Sequence, residues 1–260
     1  MNLSKYSRMS FMLPVLLLAV YLQLAAAAEP AVVSEISLDY YSKYIWRGQN
    51  LNNSDVLQPA LSVSAYGFTA SVWSNLDLTD KSQTAPGNSG NFSEFDFTLD
   101  YSSSIRGMDK VAYSLGVIYY RFPHTPYTPT VEVYGTVQLD LVATPFISWY
   151  RDLAEVDGSY LQAGVGHTIG KIVVINERCY CDLAAGASLG WGSAGYNRGY
   201  FGMAKDHFND FSVSASLPFS FGAWTIELSI HYSTMLNDAI AAAVDQKDNT
   251  WLGIGLTTGY

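Results

Sequence analysis

Cysteine is scarce in this chain, and positive charge is outweighed. The two cysteines, Cys179 and Cys181, share one Cys-Tyr-Cys triplet. Structural zinc needs four ligands at recognisable spacings, and no second Cys or His pair supplies them. His124, His167 and His207 are scattered, so neither a metal nor a cofactor is expected. A bridge between thiols two residues apart is geometrically strained; free thiols and a strained local bridge are the two readings. Fourteen Lys and Arg face 23 Asp and Glu, for a formal charge of -9. A surface of that sign disfavours nucleic acid as a partner, because phosphate binding needs a basic surface. No Pro/Ser-rich linker divides the chain, and beyond residue 30 no long helical period appears.

The first 28 residues read as a segment apart. Lys5 and Arg8 give a basic start, residues 11–24 form an apolar run broken only by Pro14 and Gln23, and Ala25, Ala26, Ala27 and Ala28 precede Glu29 and Pro30. Basic start, apolar middle and small-residue exit are the parts of a secretory signal peptide. Cleavage is expected after Ala28, with residues 29–260 as one domain; a retained membrane anchor is the competing reading. No cysteine stands near the cleavage site to carry a lipid. Loss of Lys5 and Arg8 takes the formal charge from -9 to -11.

What the rest of the chain does have is alternation with period two, in twelve stretches of about the length that a tilted strand needs to cross a bilayer. The fourth is the clearest: Phe95, Phe97, Leu99 and Tyr101 alternate with Glu94, Asp96, Thr98 and Asp100. The first carries Ile36, Leu38 and Tyr40 and is read on through Tyr44 and Trp46. The last carries Leu252, Ile254, Leu256, Thr258 and Tyr260.

A soluble β-sandwich also alternates, but three observations favour a membrane barrel. The face opposite the apolar one is polar and rich in Gly, Ser and Thr, as a wet lumen would be. Connections alternate between short ones, such as residues 66–67 and 142–144, and long polar ones, such as residues 80–91, 192–210 and 233–250. That is the asymmetry of periplasmic turns and extracellular loops. The chain also closes on an alternating strand with an aromatic last residue, Tyr260, read here as the signal for the barrel-assembly machinery. The aromatic pairs Tyr40/Tyr41, Tyr44/Trp46, Tyr119/Tyr120 and Trp149/Tyr150 are expected at the headgroup level. One stretch fits poorly: residues 170–179 fall where a short turn belongs, yet contain Lys171, Ile172, Val173, Val174 and Ile175. Either the strands extend into it or the count is off by one pair. The expected fold is all-β, a transmembrane antiparallel up-and-down β-barrel of about 12 strands in a bacterial outer membrane, with lipid around it.

Parity then assigns the lumen. Glu35, Asp39, Glu94, Asp96, Asp100, Glu132, Asp140, Asp182 and Glu227 fall on its side, with Lys43 and, at the rim, Arg47 as the chief cations. Any barrel puts polar residues inside, which explains polarity but not sign. Arg47 is read either as a buttress that fixes the first loop or as a solute contact. The spacing of His231 and Ser233 is that of barrel lipid hydrolases, but Ile230 and Tyr232 take the lipid face and turn His231 inward, so no enzymatic role is expected.

Residues 41–49, Tyr-Ser-Lys-Tyr-Ile-Trp-Arg-Gly-Gln, contain a Tyr-x-x-Arg-Gly pattern from Tyr44 to Gly48. With Pro59, Ala60 and Leu61, the hairpin at residues 66–75, and Thr130 to Tyr134, this resembles the bacterial TorF family of porin-like proteins. The resemblance implies an outer-membrane barrel with a porin-like role and names no substrate. Lys43 departs from it, since that family has Asp or Glu before the first tyrosine. Two functions are therefore expected to compete: a channel for small hydrophilic solutes whose acidic lumen favours cations, and a non-conducting barrel with a structural or surface-binding role.

Overall fold

A computed structural model describes residues 32–82 and 87–260. The signal peptide assigned to residues 1–28 lies outside them. From Val33 onward the chain forms a closed barrel of twelve strands, each antiparallel to both neighbours and joined in simple sequence order. The wall strands are β1 (Val33–Tyr41), β4 (Val56–Ala65), β5 (Phe68–Asp77), β6 (Phe92–Ile105), β7 (Met108–Arg121), β8 (Thr130–Leu139), β9 (Phe146–Asp152), β10 (Ser159–Asn176), β11 (Cys179–Gly192), β12 (His207–Phe221), β13 (Trp224–Met235) and β14 (Asp248–Gly259). A separate two-stranded hairpin, β2 (Tyr44–Trp46) and β3 (Gln49–Asn52), stands between β1 and β4. Short helices α1 (Ala194–Phe201) and α2 (Asp238–Ala241) lie in two of the long connections.

Period-two sequence becomes a wall because successive side chains point to opposite faces. In β6, Phe97 sits across from Val72 and Tyr119, and the three form an outward apolar patch. One residue earlier, Asp96 sits between Trp73 and Tyr120 on the lumen side. The outer surface carries Ile36, Leu38, Leu61, Leu99, Leu115, Ile147, Ile230, Leu252 and Ile254, all exposed in the isolated chain. A soluble protein could not keep such a continuous band in water; lipid is the solvent that it fits.

The short connections lie at one end of the barrel, at residues 66–67, 106–107, 140–145, 177–178 and 222–223. At the first, Tyr66 and Gly67 both have positive φ, 57° and 82°, the geometry that a two-residue hairpin needs to match strand twist. A Cβ on Gly67 would also stand 2.9 Å from the carbonyl oxygen of Ser102. The ring closes between β1 and β14, where Ser34 and Tyr260 exchange two backbone hydrogen bonds of 2.9 Å each.

Two expectations change, and one of the two readings of residues 170–179, that the strands extend into them, holds. Tyr44 and Trp46 do not prolong the first wall strand: β1 ends at Tyr41, and the chain turns inward. The aromatic pairs divide, because adjacent residues on a strand cannot share a face. Tyr119 and Trp149 are exposed on the outside, while Tyr120 and Tyr150 make their ring and hydrogen-bond contacts in the lumen. The stretch around Lys171 to Ile175 belongs to β10, which with its 18 residues overhangs β9 and its 7. Its pairing with β11 shifts register between Ile169 and Val173, where Lys171 adopts a φ of 55°.

Candidate functional site

The hairpin β2–β3 folds back inside the barrel from its long-loop end. Arg47 and Gly48 form its tip, with φ of 46° and 77°. Glycine is required there for a second reason: a Cβ at Gly48 would stand 2.6 Å from the Cβ of Asp210 on the barrel wall. The tip therefore sits against the far side of the lumen with no room for a side chain.

Arg47 is the centre of this arrangement. Nη1 and Nη2 donate to Glu132 Oε1 and Oε2 on β8 at 2.9 and 2.7 Å, a bidentate pair. The two side chains are only 8% and 3% exposed. The guanidinium also lies over the rings of Trp46, Tyr150 and Tyr160, at 4.4, 4.5 and 4.6 Å from their centroids. Burial works against the charge, but Tyr196 and Glu132 outweigh it and push the pKa up, so Arg47 stays protonated.

Tyrosine hydroxyls extend the network by donating to carboxylates: Tyr120 to Glu132 at 2.8 Å, Tyr44 to Glu94 at 2.9 Å, Tyr160 to Asp210 at 2.8 Å and Tyr134 to Asp100 at 2.6 Å. Helix α1 adds Tyr196 and Phe201 to a buried cluster with Tyr160, Met235 and Ile240. Local sequence sets that helix: the Ser193 side chain accepts from the Tyr196 N–H, and Gly202 ends the helix in the left-handed region. Hairpin, α1 and this cluster together fill the long-loop half of the lumen.

The expected lumen residues separate into groups. Glu94, Asp96 and Glu132 face the hairpin, and Asp96 lies within electrostatic reach of Glu94, Glu132 and Arg47. Asp39, Asp100, Asp182 and Glu227 line the wall. Glu35 is exposed at the short-turn end of β1. Asp140 departs from its parity assignment: β8 stops at Leu139, and Asp140 is exposed in the turn that follows. Lys43 is not on the wall either; it sits where the chain leaves β1, and its Nζ donates to Gln246 at 3.2 Å. Arg47 lies inside and not at the rim, because its hairpin turns inward. Of the nine carboxylates, only Glu132 belongs to an ion pair among the described residues. Tyr260 is 76% exposed beside the closing seam. Cys179 and Cys181 are free thiols.

Parity had more to offer. Asp210 sits one residue before a stretch that begins at Phe211, and Asp152 one residue after a stretch that ends at Arg151; both point inward and are buried. Lys110 has lumen parity near the short-turn end and was also overlooked. His231 faces the lumen, where its ring stacks on Trp251 at 4.9 Å and its Nε2 meets Ser229 Oγ at 2.9 Å, not Ser233. Among the described residues no three His, Cys, Asp or Glu side chains group to hold a metal.

Cavities flank the hairpin on both sides. One, of about 350 Å³, opens among the long loops and is lined in part by Trp46, Glu94, Tyr127 and Tyr200. The other, of about 380 Å³, lies on the far side and includes Arg47, Asp210, Ser212, Ser214 and His231. The tip thus presents Trp46 to one compartment and Arg47 to the other.

A closed antiparallel barrel with an apolar outside, a polar inside, short turns at one end and long loops at the other defines the class of outer-membrane β-barrels. A NanC porin has the same fold: TM-score 0.50 and 14% identity, over 86% of this chain and 98% of that one. LpxR from Salmonella typhimurium gives 0.48 at 11% identity over 87% and 99%, and an outer membrane channel from Pseudomonas putida F1 gives 0.47 at 10% over 90% and 97%. No curated protein sequence matches the chain. Residues 24–253 match the model of a family described as bacterial protein of unknown function, Gcw_chp, and the chain belongs to that family.

Proposed function

We propose that this protein is a porin-like outer-membrane channel for small hydrophilic solutes, not an enzyme, with the β2–β3 hairpin as its constriction and a preference for cations. The observation that carries the reading is the unpaired charge of the wall. Among the described residues Asp39, Asp100, Asp182 and Glu227 line the lumen and form no ion pair, whereas the charge of Glu132 is neutralised by Arg47. Carboxylates in a narrow lumen with low-dielectric walls concentrate cations. Lys110 opposes them at the short-turn mouth but is outnumbered. The resemblance to the TorF family implies a porin-like role without naming a solute, and the NanC likeness supports the fold on which the reading stands.

The test is the reversal potential across a salt gradient in a planar bilayer, for the wild type and for the triple variant Asp39→Asn, Asp100→Asn, Glu227→Gln. Cation selectivity that falls in the variant is expected. An anion-selective wild type, or an unchanged variant, would refute the assignment. A second reading has its own observation: the filled long-loop half, with Arg47 and Glu132 almost wholly shielded, suits a non-conducting barrel that binds something at its loops. Absence of any conductance would favour it.

A further inference from the structure

The cavity at the long-loop mouth has a chemistry of its own. Its walls come from the hairpin, from the connections 122–129 and 153–158, and from α1. Five aromatic rings line it. Tyr120 and Phe122 lie parallel within 6° at 6.2 Å, Tyr127 meets Phe122 edge-on at 5.9 Å, and Trp46 packs on Tyr200 at 5.3 Å. Glu94, Asp152 and Glu155 also line it, with no Lys, Arg or His among the described residues. The volume of about 350 Å³ falls in the lower range of small-molecule sites.

The carboxylates bring charge but few free hydrogen-bond positions. Glu94 Oε2 already accepts from Tyr44. Asp152 Oδ2 accepts from Thr130 at 2.8 Å, and Oδ1 from the backbone N–H groups of Ala154, Glu155 and Val156 at 2.8, 3.0 and 3.1 Å. A sugar or a primary ammonium needs several directional partners, and Asp152 and Glu94 Oε2 are already engaged, which leaves the exposed Glu155 to supply mainly charge. A cation whose charge is sheathed in methyl groups needs only a negative field and aromatic faces. The protein already sets one cation against an aromatic face, the guanidinium of Arg47 over Trp46, there with hydrogen bonds to Glu132 as well.

We propose that this cavity is a binding site for a quaternary alkylammonium compound, with choline as the probe. It carries the cation preference from the wall to the entrance and rests on that reading, but binding is measured without current, so the two can fail separately.

The experiment is calorimetric titration of the folded barrel in a maltoside detergent, free of choline headgroups. The probes are choline and its neutral isostere, in which carbon replaces nitrogen. Saturable choline binding is expected, with the isostere at least about tenfold weaker. Tyr127→Ala should weaken choline by about two- to fivefold, the loss of one partly exposed cation–aromatic contact. Tyr127 is 52% exposed and Glu155 is exposed, so neither substitution threatens the fold. Glu155→Gln should weaken choline and leave the isostere unchanged. No saturable choline binding, equal binding of the isostere, or unchanged affinity in both variants would overturn the proposal.

Discussion

Replacing Arg47 with methionine tests the hairpin as a constriction. The substitution keeps most of the volume but removes both hydrogen bonds to Glu132, at 2.9 and 2.7 Å, and leaves that carboxylate buried without its partner. Removal of one member of a buried ion pair costs about 3–5 kcal/mol. The contacts with Trp46, Tyr150 and Tyr160 weaken as well, though methionine still packs on rings. The cost falls on docking of the hairpin and not on the wall, whose interstrand hydrogen bonds do not involve Arg47. At about 1.4 kcal/mol per tenfold, the docked-to-undocked ratio should fall by roughly two to three and a half orders of magnitude. Amide hydrogen exchange across residues 44–52 should accelerate accordingly, and single-channel conductance should rise. The double variant Arg47→Met, Glu132→Met should recover most of the protection, because a buried pair exchanged for apolar side chains is often close to neutral. Unchanged exchange in the single variant, or no recovery in the double one, would refute the reasoning.

Other outcomes follow from the same geometry. Gly48→Ala should undock the hairpin too, since its Cβ would meet Asp210 at 2.6 Å and its φ of 77° is costly for any L side chain; hydrogen exchange in the hairpin reports it, with the barrel intact. Unboiled protein should migrate differently from boiled protein in detergent and give a strand-dominated circular dichroism spectrum; a helical spectrum would contradict the fold. Tyr260→Asp should lower the amount inserted in the membrane and leave the conductance of inserted molecules unchanged, as measured by membrane yield and single-channel recording.

The wall was legible because lipid imposes one rule on every strand: apolar outward, at every second residue. The overhang of β10 was legible only as a misfit, since Ile172 to Ile175 do not alternate and the register shift at Lys171 has no signature beyond its neighbour Gly170. The hairpin was hidden for the opposite reason. Tyr44 and Trp46 share parity with Tyr40, so the alternation runs past the true end of β1 without a break. The two-residue turn of Arg47 and Gly48, with glycine in second place, was the available clue. Parity put Glu132 inside, but its pairing with Arg47 joins positions 85 residues apart in the chain, which no local pattern encodes. Tyr120 and Tyr150 were set at the headgroups because they adjoin outward rings, although period two forbids both members of a pair from facing lipid.

The hairpin is also a charged body suspended in the barrel lumen. Residues 42–55 carry Lys43 and Arg47 against Asp55 alone, so any excursion toward the long-loop mouth moves net positive charge along the barrel axis. A unit charge taken fully across 100 mV is worth about 2.3 kcal/mol, and a partial excursion a fraction of that. Ordinary bilayer voltages therefore fall short of the docking energy of the wild-type plug, while larger ones of a single polarity should pull it free. Arg47→Met leaves Lys43 and Asp55 to cancel, so the loosened plug of that variant should move almost without regard to voltage.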